Sequence, residues 1–338
     1  MRAMIAGLPN EARWFKPEPR RSLSTATVDR IVRRAFPRCG VVGVESLGDG
    51  LRNANFKLHL SAPPESVVLR IYEHEPSLCQ KEMDLLGLLA GSVPVPQLLH
   101  AEPNGWEGLP PFTLARFVEG ISFRQLARSN DRDATAEAAV SAGQTVAAIG
   151  RITFSKPGWI GSGLTVTPML EGADALPRFI DACLDCEQLR RRMSSDVCER
   201  VHALVWKHAS DVSLLENESF LVHGDFGKRN LLVRENSGRW EVAAVLDWEF
   251  AISGSPLCDV GHFLRYERVS RPVAEPHFSR GYSDAGGRLP QDWRVLARVL
   301  DMSRLCESLT REELPASVET ELAELVRATV EDRDPKFS

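Results

Sequence analysis

The sequence predicts an α+β fold in two parts: a small antiparallel sheet with one helix, then a larger, mainly helical part. Three observations carry this. Three strand-like runs follow one another over 41–72 without a helix between them, the composition turns helical after Gly120, and one compact strand-rich island, 220–247, interrupts the helical part. Strands and helices that segregate along a chain do not build a parallel, alternating α/β sheet. At 338 residues the chain is long enough for two domains and a sizeable core. The boundaries read as an N-terminal arm at 1–21, a first part at 22–117 and a second at 118–338.

In the arm, Trp14 and Phe15 are the residues able to pin it down. Val28, Ile31, Val32, Ala35 and Phe36 recur at helical spacing behind Ser and Thr cap candidates, and Pro37 and Gly40 end the run. Strand-like runs occupy 41–46, 54–60 and 67–72; the connections LGDGLRN and SAPPES make them an antiparallel meander. A helix at 77–90 carries Cys79, Met83, Leu86 and Leu89 on one face, and short strands are expected at 97–100 and 112–118. Beyond Gly120, helices are predicted at 133–152, as one long element at 195–215, and in the acidic tail 291–332. The stretch DACLDCEQLRR reads as helix interior. Within the island, LLV and VAAVL flank RENSGRW, a hairpin signal.

Composition excludes several classes. With 41 basic and 46 acidic residues the net charge is −5, and no basic block offers a surface for nucleic acid. Hydrophobic residues at 43% and charged residues at 26% are ordinary for a globular protein. No apolar run is long enough to span a membrane. Seven scattered cysteines read as reduced thiols of a cytoplasmic protein. Cys183-x-x-Cys186 has no second ligand pair, so it is not read as a zinc site.

The chemistry is concentrated in FLVHGDFGKRNLLV, 220–233, and VAAVLDWEFAISGSPLCDVGHFLR, 242–265. Asp225 leaves a strand through His223-Gly224, Asn230 stands five positions later, and Asp247 ends the next strand. Taken singly, each piece reads as a backbone-serving turn or a solvated strand end. Together they place two carboxylates and an amide at strand ends, a set suited to phosphoryl transfer from a magnesium nucleotide. Magnesium takes hard oxygen ligands, usually one or two carboxylates plus the phosphates. The remaining carboxylate can orient an acceptor hydroxyl and receive its proton.

H-G-D-x-x-x-x-N followed by D-W-E resembles the aminoglycoside phosphotransferase and choline kinase family, whose fold is similar to that of the protein kinases. The resemblance covers roughly residues 23–330. It implies a two-lobed protein-kinase-like fold, with 22–117 as the nucleotide-binding lobe and 118–338 as the helical lobe carrying the catalytic loop and substrate site. It implies ATP and Mg²⁺ as cofactors, Asp225 as the catalytic residue, and Asn230 and Asp247 as metal ligands. His223 supports the loop and Asp259 braces it. Arg70 in VVLRIY takes the place of the kinases' phosphate-binding lysine, with Glu82 as its acidic partner. Gly48, Gly50 and Asn53 of LGDGLRNANFKL resemble the nucleotide-covering loop, and the backbone near Arg116 and Val118 resembles the connector that holds adenine. Two departures stand out. Gly227 occupies the kinases' lysine position, leaving Lys228 or a backbone amide to meet the transferred group, and Gly150 replaces a frequent histidine.

The leading reading is therefore an ATP-dependent kinase acting on the hydroxyl of an aminoglycoside-like or other small metabolite. A nucleotide-binding or scaffolding relative that has lost catalysis is the alternative, opposed by the joint retention of Asp225, Asn230 and Asp247. Protein phosphorylation is disfavoured, because D-F-G, A-P-E and a long activation segment are missing. An acidic acceptor pocket for a polycation would draw on Glu249, Asp181, Asp185 and the tail glutamates from Glu307 to Glu324, although Arg190, Arg191 and Arg192 lie close by.

Overall fold

The computed structural model describes residues 23–47, 54–73, 75–170, 172, 174–269 and 274–331. They form two compact units, one running up to Glu119 and taking in Gly161–Thr165, the other holding Gly120–Ile160 and the chain from Val166 onward. Gly48, Gly50 and Asn53, together with the arm and its Trp14 and Phe15, lie outside the described residues.

The first unit begins with α1, Thr25–Ala35. Ser24 caps it by accepting a hydrogen bond from the Thr27 amide at 3.1 Å, which satisfies a donor that a helix start otherwise leaves unpaired. Five antiparallel strands follow: β1 Val41–Ser46, β2 Ala54–Leu60, β3 Ser66–Ile71, β4 Leu98–Glu102 and β5 Phe112–Arg116, with α2 Ser77–Leu89 between β3 and β4. Their order is β1-β2-β3-β5-β4. Alternate residues of β3, Val67, Leu69 and Ile71, face a core shared with Leu58, Phe112, Leu114 and the buried stripe of α1, Val28, Ile31 and Val32. Period-two burial on the strands and period-3.6 burial on the helix therefore meet in one layer.

In the second unit β6 (Ile121–Ser122) leads into α3 (Phe123–Arg128), then α4 (Arg132–Ile149), β7 (Gly158–Ile160) and β8 (Val166–Thr167). Helices α5 (Ala175–Leu184), α6 (Glu187–Arg192), α7 (Ser195–Lys207) and α8 (Ala209–Leu215) come next. The island supplies β9 (Phe220–Val222), β10 (Leu231–Asn236) and β11 (Arg239–Val245). It is followed by β12 (Ile252–Gly254), α9 (Leu257–Leu264), α10 (His277–Asp284), α11 (Trp293–Leu309) and α12 (Ala316–Val330). Two small sheets result, β11-β10-β6 and β8-β7-β12-β9. Helices α4 and α10 cross through paired glycines. A Cβ on Gly143 would meet the Phe278 carbonyl oxygen at 2.1 Å, and one on Gly281 would meet that of Val140 at 2.1 Å.

Two sequence expectations are corrected. The helix expected over 195–215 is two, broken at His208 (φ −109°, ψ 13°), so that Ala209 and Val212 turn inward. DACLDCEQLRR is not helix interior: α5 ends at Leu184 and Cys186 is extended (φ −69°, ψ 133°), while Arg190 Nε donates to the Leu184 carbonyl at 3.1 Å and satisfies the exposed helix end. The tail is helical as expected, in two helices, with Pro315 in extended geometry (ψ 137°) at the start of α12. No described helix is long and apolar enough to cross a membrane.

Candidate active site

The densest polar constellation of the second unit is the loop after β9. Gly224 has φ +77°, and a Cβ there would strike the Phe250 carbonyl oxygen at 2.3 Å, so only glycine fits between His223 and Asp225. His223 is fully buried. Its Nε2 donates to the Leu246 carbonyl at 2.9 Å and its Nδ1 accepts the Asp225 amide at 3.1 Å, which selects the neutral tautomer. Burial agrees with that assignment, lowering the imidazole pKa to about 4. Asp259, at the start of α9, clamps the same loop: its two oxygens accept the amides of His223 at 2.7 Å and Gly224 at 2.9 Å. Burial pushes its carboxyl up to about 7 against the pull of those two bonds.

The Asp225 carboxylate projects from this clamped turn and is held at both oxygens. Asn230 Nδ2 donates to Oδ2 at 2.8 Å and to the Asp225 carbonyl at 2.9 Å, while His262 Nε2 lies 3.1 Å from Oδ1. Burial would raise this carboxyl's pKa, but the His262 hydrogen bond and charge, with Arg304 and His223, outweigh it and hold the group well below the usual carboxylate range. Its side chain nonetheless remains 31% exposed, so a small molecule can reach it.

Asp247 follows β11 in the left-handed region (φ 69°, ψ 65°). The amide of Leu246, the residue before it, donates to the Asn230 carbonyl at 2.8 Å, so Asn230 and Asp247 are brought to adjacent chain ends. The amide nitrogen of Asn230 is committed to Asp225, which leaves its Oδ1 to turn elsewhere. One amide oxygen and one carboxylate are hard donors that suit Mg²⁺ accompanied by phosphate oxygens. Among the described residues, no group of three or more His, Cys, Asp or Glu side chains could hold a metal by itself.

Two of the residues that matter here were not singled out from the sequence. His262 is three positions after Asp259 on α9, so the two share a helix face, and that spacing was the available signal. A Cβ on Gly227 would come within 3.2 Å of His262 Nε2, so the missing side chain at 227 makes room for the imidazole beside Asp225. Lys228 goes elsewhere: its Nζ pairs with Glu267 at 3.0 Å, with both side chains nearly buried and the rings of Phe123 and Phe263 within 6 Å. The second missed residue, Arg304 on α11, lies over the Phe250 ring at 4.7 Å.

In the first unit, Arg70 Nε is 3.1 Å from Glu82 Oε2 and its guanidinium lies 5.3 Å from the centre of the Tyr72 ring. Buried Tyr72 donates to the same Glu82 oxygen. Burial first, then the Glu82 charge, raises the phenol pKa well above its ordinary value. The Arg116 amide is already spent on the Gln97 carbonyl at 2.8 Å, and the side chain's Nε donates to Gln97 Oε1 at 3.0 Å. Of the expected adenine-holding pair, only the half-buried Val118 lies beyond the strand pairing.

Of the residues named for an acidic pocket, Asp181 and Asp185 line one cavity together with Arg190 and His202, and several of the named carboxylates are paired. Asp181 takes His202 and Trp206, Asp185 pairs with Arg190, Glu307 with Arg311, Glu319 with Arg192, and Glu324 with Arg327.

Comparison with known proteins follows the same line. The crystal structure of aminoglycoside phosphotransferase APH(4)-Ia superposes with a TM-score of 0.64 at 17% identity, covering 91% of this chain and 98% of the other. The GDP complex of aminoglycoside 2'-phosphotransferase-IIIa gives a TM-score of 0.67 at 17% identity, covering 92% and 100%. These likenesses establish a kinase-like α+β fold. Among curated sequences, acyl-CoA dehydrogenase family member 11 is 40% identical over 73 residues in Homo sapiens and 38% over 76 in Pongo abelii. Those stretches cover 21% and 22% of this chain but only 9% of each relative. The model of the phosphotransferase enzyme family (APH) matches residues 43–299, and the chain belongs to that family.

Proposed function

We propose that the protein transfers the γ-phosphoryl group of ATP to a hydroxyl of a small molecule in the cytoplasm. The observation that carries the proposal is the Asp225 carboxylate pinned between Asn230 and His262, with Asp247 brought beside Asn230. In this reading Asp225 accepts the hydrogen bond of the attacking hydroxyl. Its depressed pKa makes it a weak base. It therefore orients the hydroxyl and takes the proton late, which suits a loose transition state that needs little nucleophile activation. Asn230 Oδ1 and Asp247 hold Mg²⁺, which supplies charge neutralisation on the phosphates. Arg70, braced by Glu82, pairs with phosphate oxygens through its planar guanidinium. His262, whose imidazole stands where a residue-227 side chain would otherwise be, is a positioning residue that holds Asp225.

The test is ADP release with Mg-ATP and an acceptor panel, wild type against Asp225→Asn. Loss of a positioned acid–base group costs on the order of 10²–10⁴ in rate. A variant within a few-fold of wild type would refute the assignment, whereas retained nucleotide binding with no transfer in either protein would favour a binding-only relative.

A further inference from the structure

The second unit contains a cavity of about 330 Å³, within the range of small-molecule sites. Its walls are mainly apolar, built by Leu170, Leu176, Phe179, Leu215, Ile252 and Leu300. Several polar side chains that reach it make internal contacts. Glu216 Oε1 accepts the Leu176 amide at 2.8 Å, Ser253 donates to the Lys156 carbonyl at 2.8 Å, and Ser303 donates to the Leu300 carbonyl at 2.6 Å. Glu307 receives Arg311 at 3.1 Å and has Arg304 3.9 Å away.

The cavity is linked to the proposed catalytic residue through one side chain. Arg304 lines it and lies over the Phe250 ring, and the Phe250 carbonyl packs against Gly224, the residue before Asp225.

We infer that this cavity receives the body of the acceptor, and that the acceptor is an uncharged alcohol with an apolar aliphatic or aromatic body rather than a polycation. The inference rests on the kinase reading above and specifies its substrate class. Apolar walls gain free energy from apolar surface removed from water. A bound ammonium group would meet Arg304 and would find Glu307 already paired with Arg311. A buried charge left unpaired in this way is strongly disfavoured, which gives discrimination as well as affinity.

The experiment uses the full chain with Mg-ATP and follows ADP release with 3-phenylpropan-1-ol and octane-1,8-diol as apolar probes, and kanamycin and choline as cationic ones. Wild type is compared with Leu215→Trp, which fills the cavity from the half-buried end of α8, and with Asp225→Asn. Both alcohols are expected to stimulate release, with KM at least tenfold higher in Leu215→Trp, kcat within twofold, and no stimulation in Asp225→Asn. Turnover of kanamycin or choline with the higher kcat/KM, or an alcohol KM unchanged in a folded Leu215→Trp, would overturn the inference. A Tm raised by Mg-ATP without stimulation by either alcohol would also overturn it, leaving the kinase reading standing. No Tm response to Mg-ATP would count against the kinase reading itself.

Discussion

His262 offers the sharpest test of how the site works. Its Nε2 lies 3.1 Å from Asp225 Oδ1, and the imidazole is only 11% exposed. Its Nδ1 lies 4.0 Å from Asp301, which is itself held by Arg265 through a bond of 2.9 Å from Nε. Removing the ring takes away the donor at Oδ1 while Asn230 still holds Oδ2, so the carboxylate loses one of its fixed points. A hydrogen bond to a charged partner is worth about 1.5–3 kcal/mol, and each 1.36 kcal/mol in the barrier is tenfold in rate. His262→Ala should therefore lower kcat by roughly ten- to a hundredfold, with a smaller change in the KM for ATP, because the lost contact orients the acceptor side. His262→Gln, which keeps a donor near the Nε2 position, should recover a substantial part of the loss. Coupled ADP-release kinetics give both constants, and a thermal melt confirms that each variant is folded. A kcat within twofold of wild type in a folded His262→Ala protein would refute the positioning role, as would a Gln variant no better than Ala.

Other outcomes follow from the same geometry. Lys228→Met should cost stability and not chemistry: breaking the nearly buried pair with Glu267 is worth about 3–5 kcal/mol, read as a lowered urea midpoint. A large kcat loss in its folded fraction would restore Lys228 to the catalytic loop. Gly281→Val should destabilise the α4–α10 crossing by at least the ~1–3 kcal/mol typical of overpacking, because its Cβ would overlap Val140; an unchanged melting temperature would contradict the packing. The pH dependence of stability carries two opposed contributions. His223 titrates near 4 when folded and 6.5 when unfolded, so the unfolded chain binds the extra proton and stability rises with pH across that window, by up to ~3 kcal/mol. Asp259 titrates near 7 folded and 3.8 unfolded, so the folded chain holds the extra proton and stability falls as pH rises. Urea titrations should accordingly be nearly flat from pH 5 to 6.5 in the wild type and slope downward with pH in His223→Gln, and a flat variant would remove His223 as the cause.

Much of this architecture was legible in the chain itself because its signals are local. Alternation in VVLRIY and the stripe from Val28 to Phe36 each report one face of one element, and the structure buries those faces. The hairpin at RENSGRW needed only its turn residues, Ser237 and Gly238, both with positive φ. Where a local pattern was equivocal, the reading failed. Nothing in 195–215 distinguishes one helix from two, since His208 breaks the run to bury Ala209 and Val212 against other elements.

The site divides the same way. The order of Asp225, Asn230 and Asp247 along the chain was sufficient to suggest phosphoryl transfer, because a loop's chemistry is written in its own few residues. Of what acts on that loop from a distance, only Asp259 was reachable, through the family resemblance; His262, also on α9, and Arg304 on α11 were not. Tertiary packing likewise decided that Lys228 turns to Glu267, that Glu307, Glu319 and Glu324 pair with arginines, and that Arg304 lines an apolar cavity. Local sequence determines which backbone turns can form and which chemical groups they carry. Which of those groups remain uncommitted depends on partners tens of residues away, and only the folded chain brings those partners within hydrogen-bonding distance.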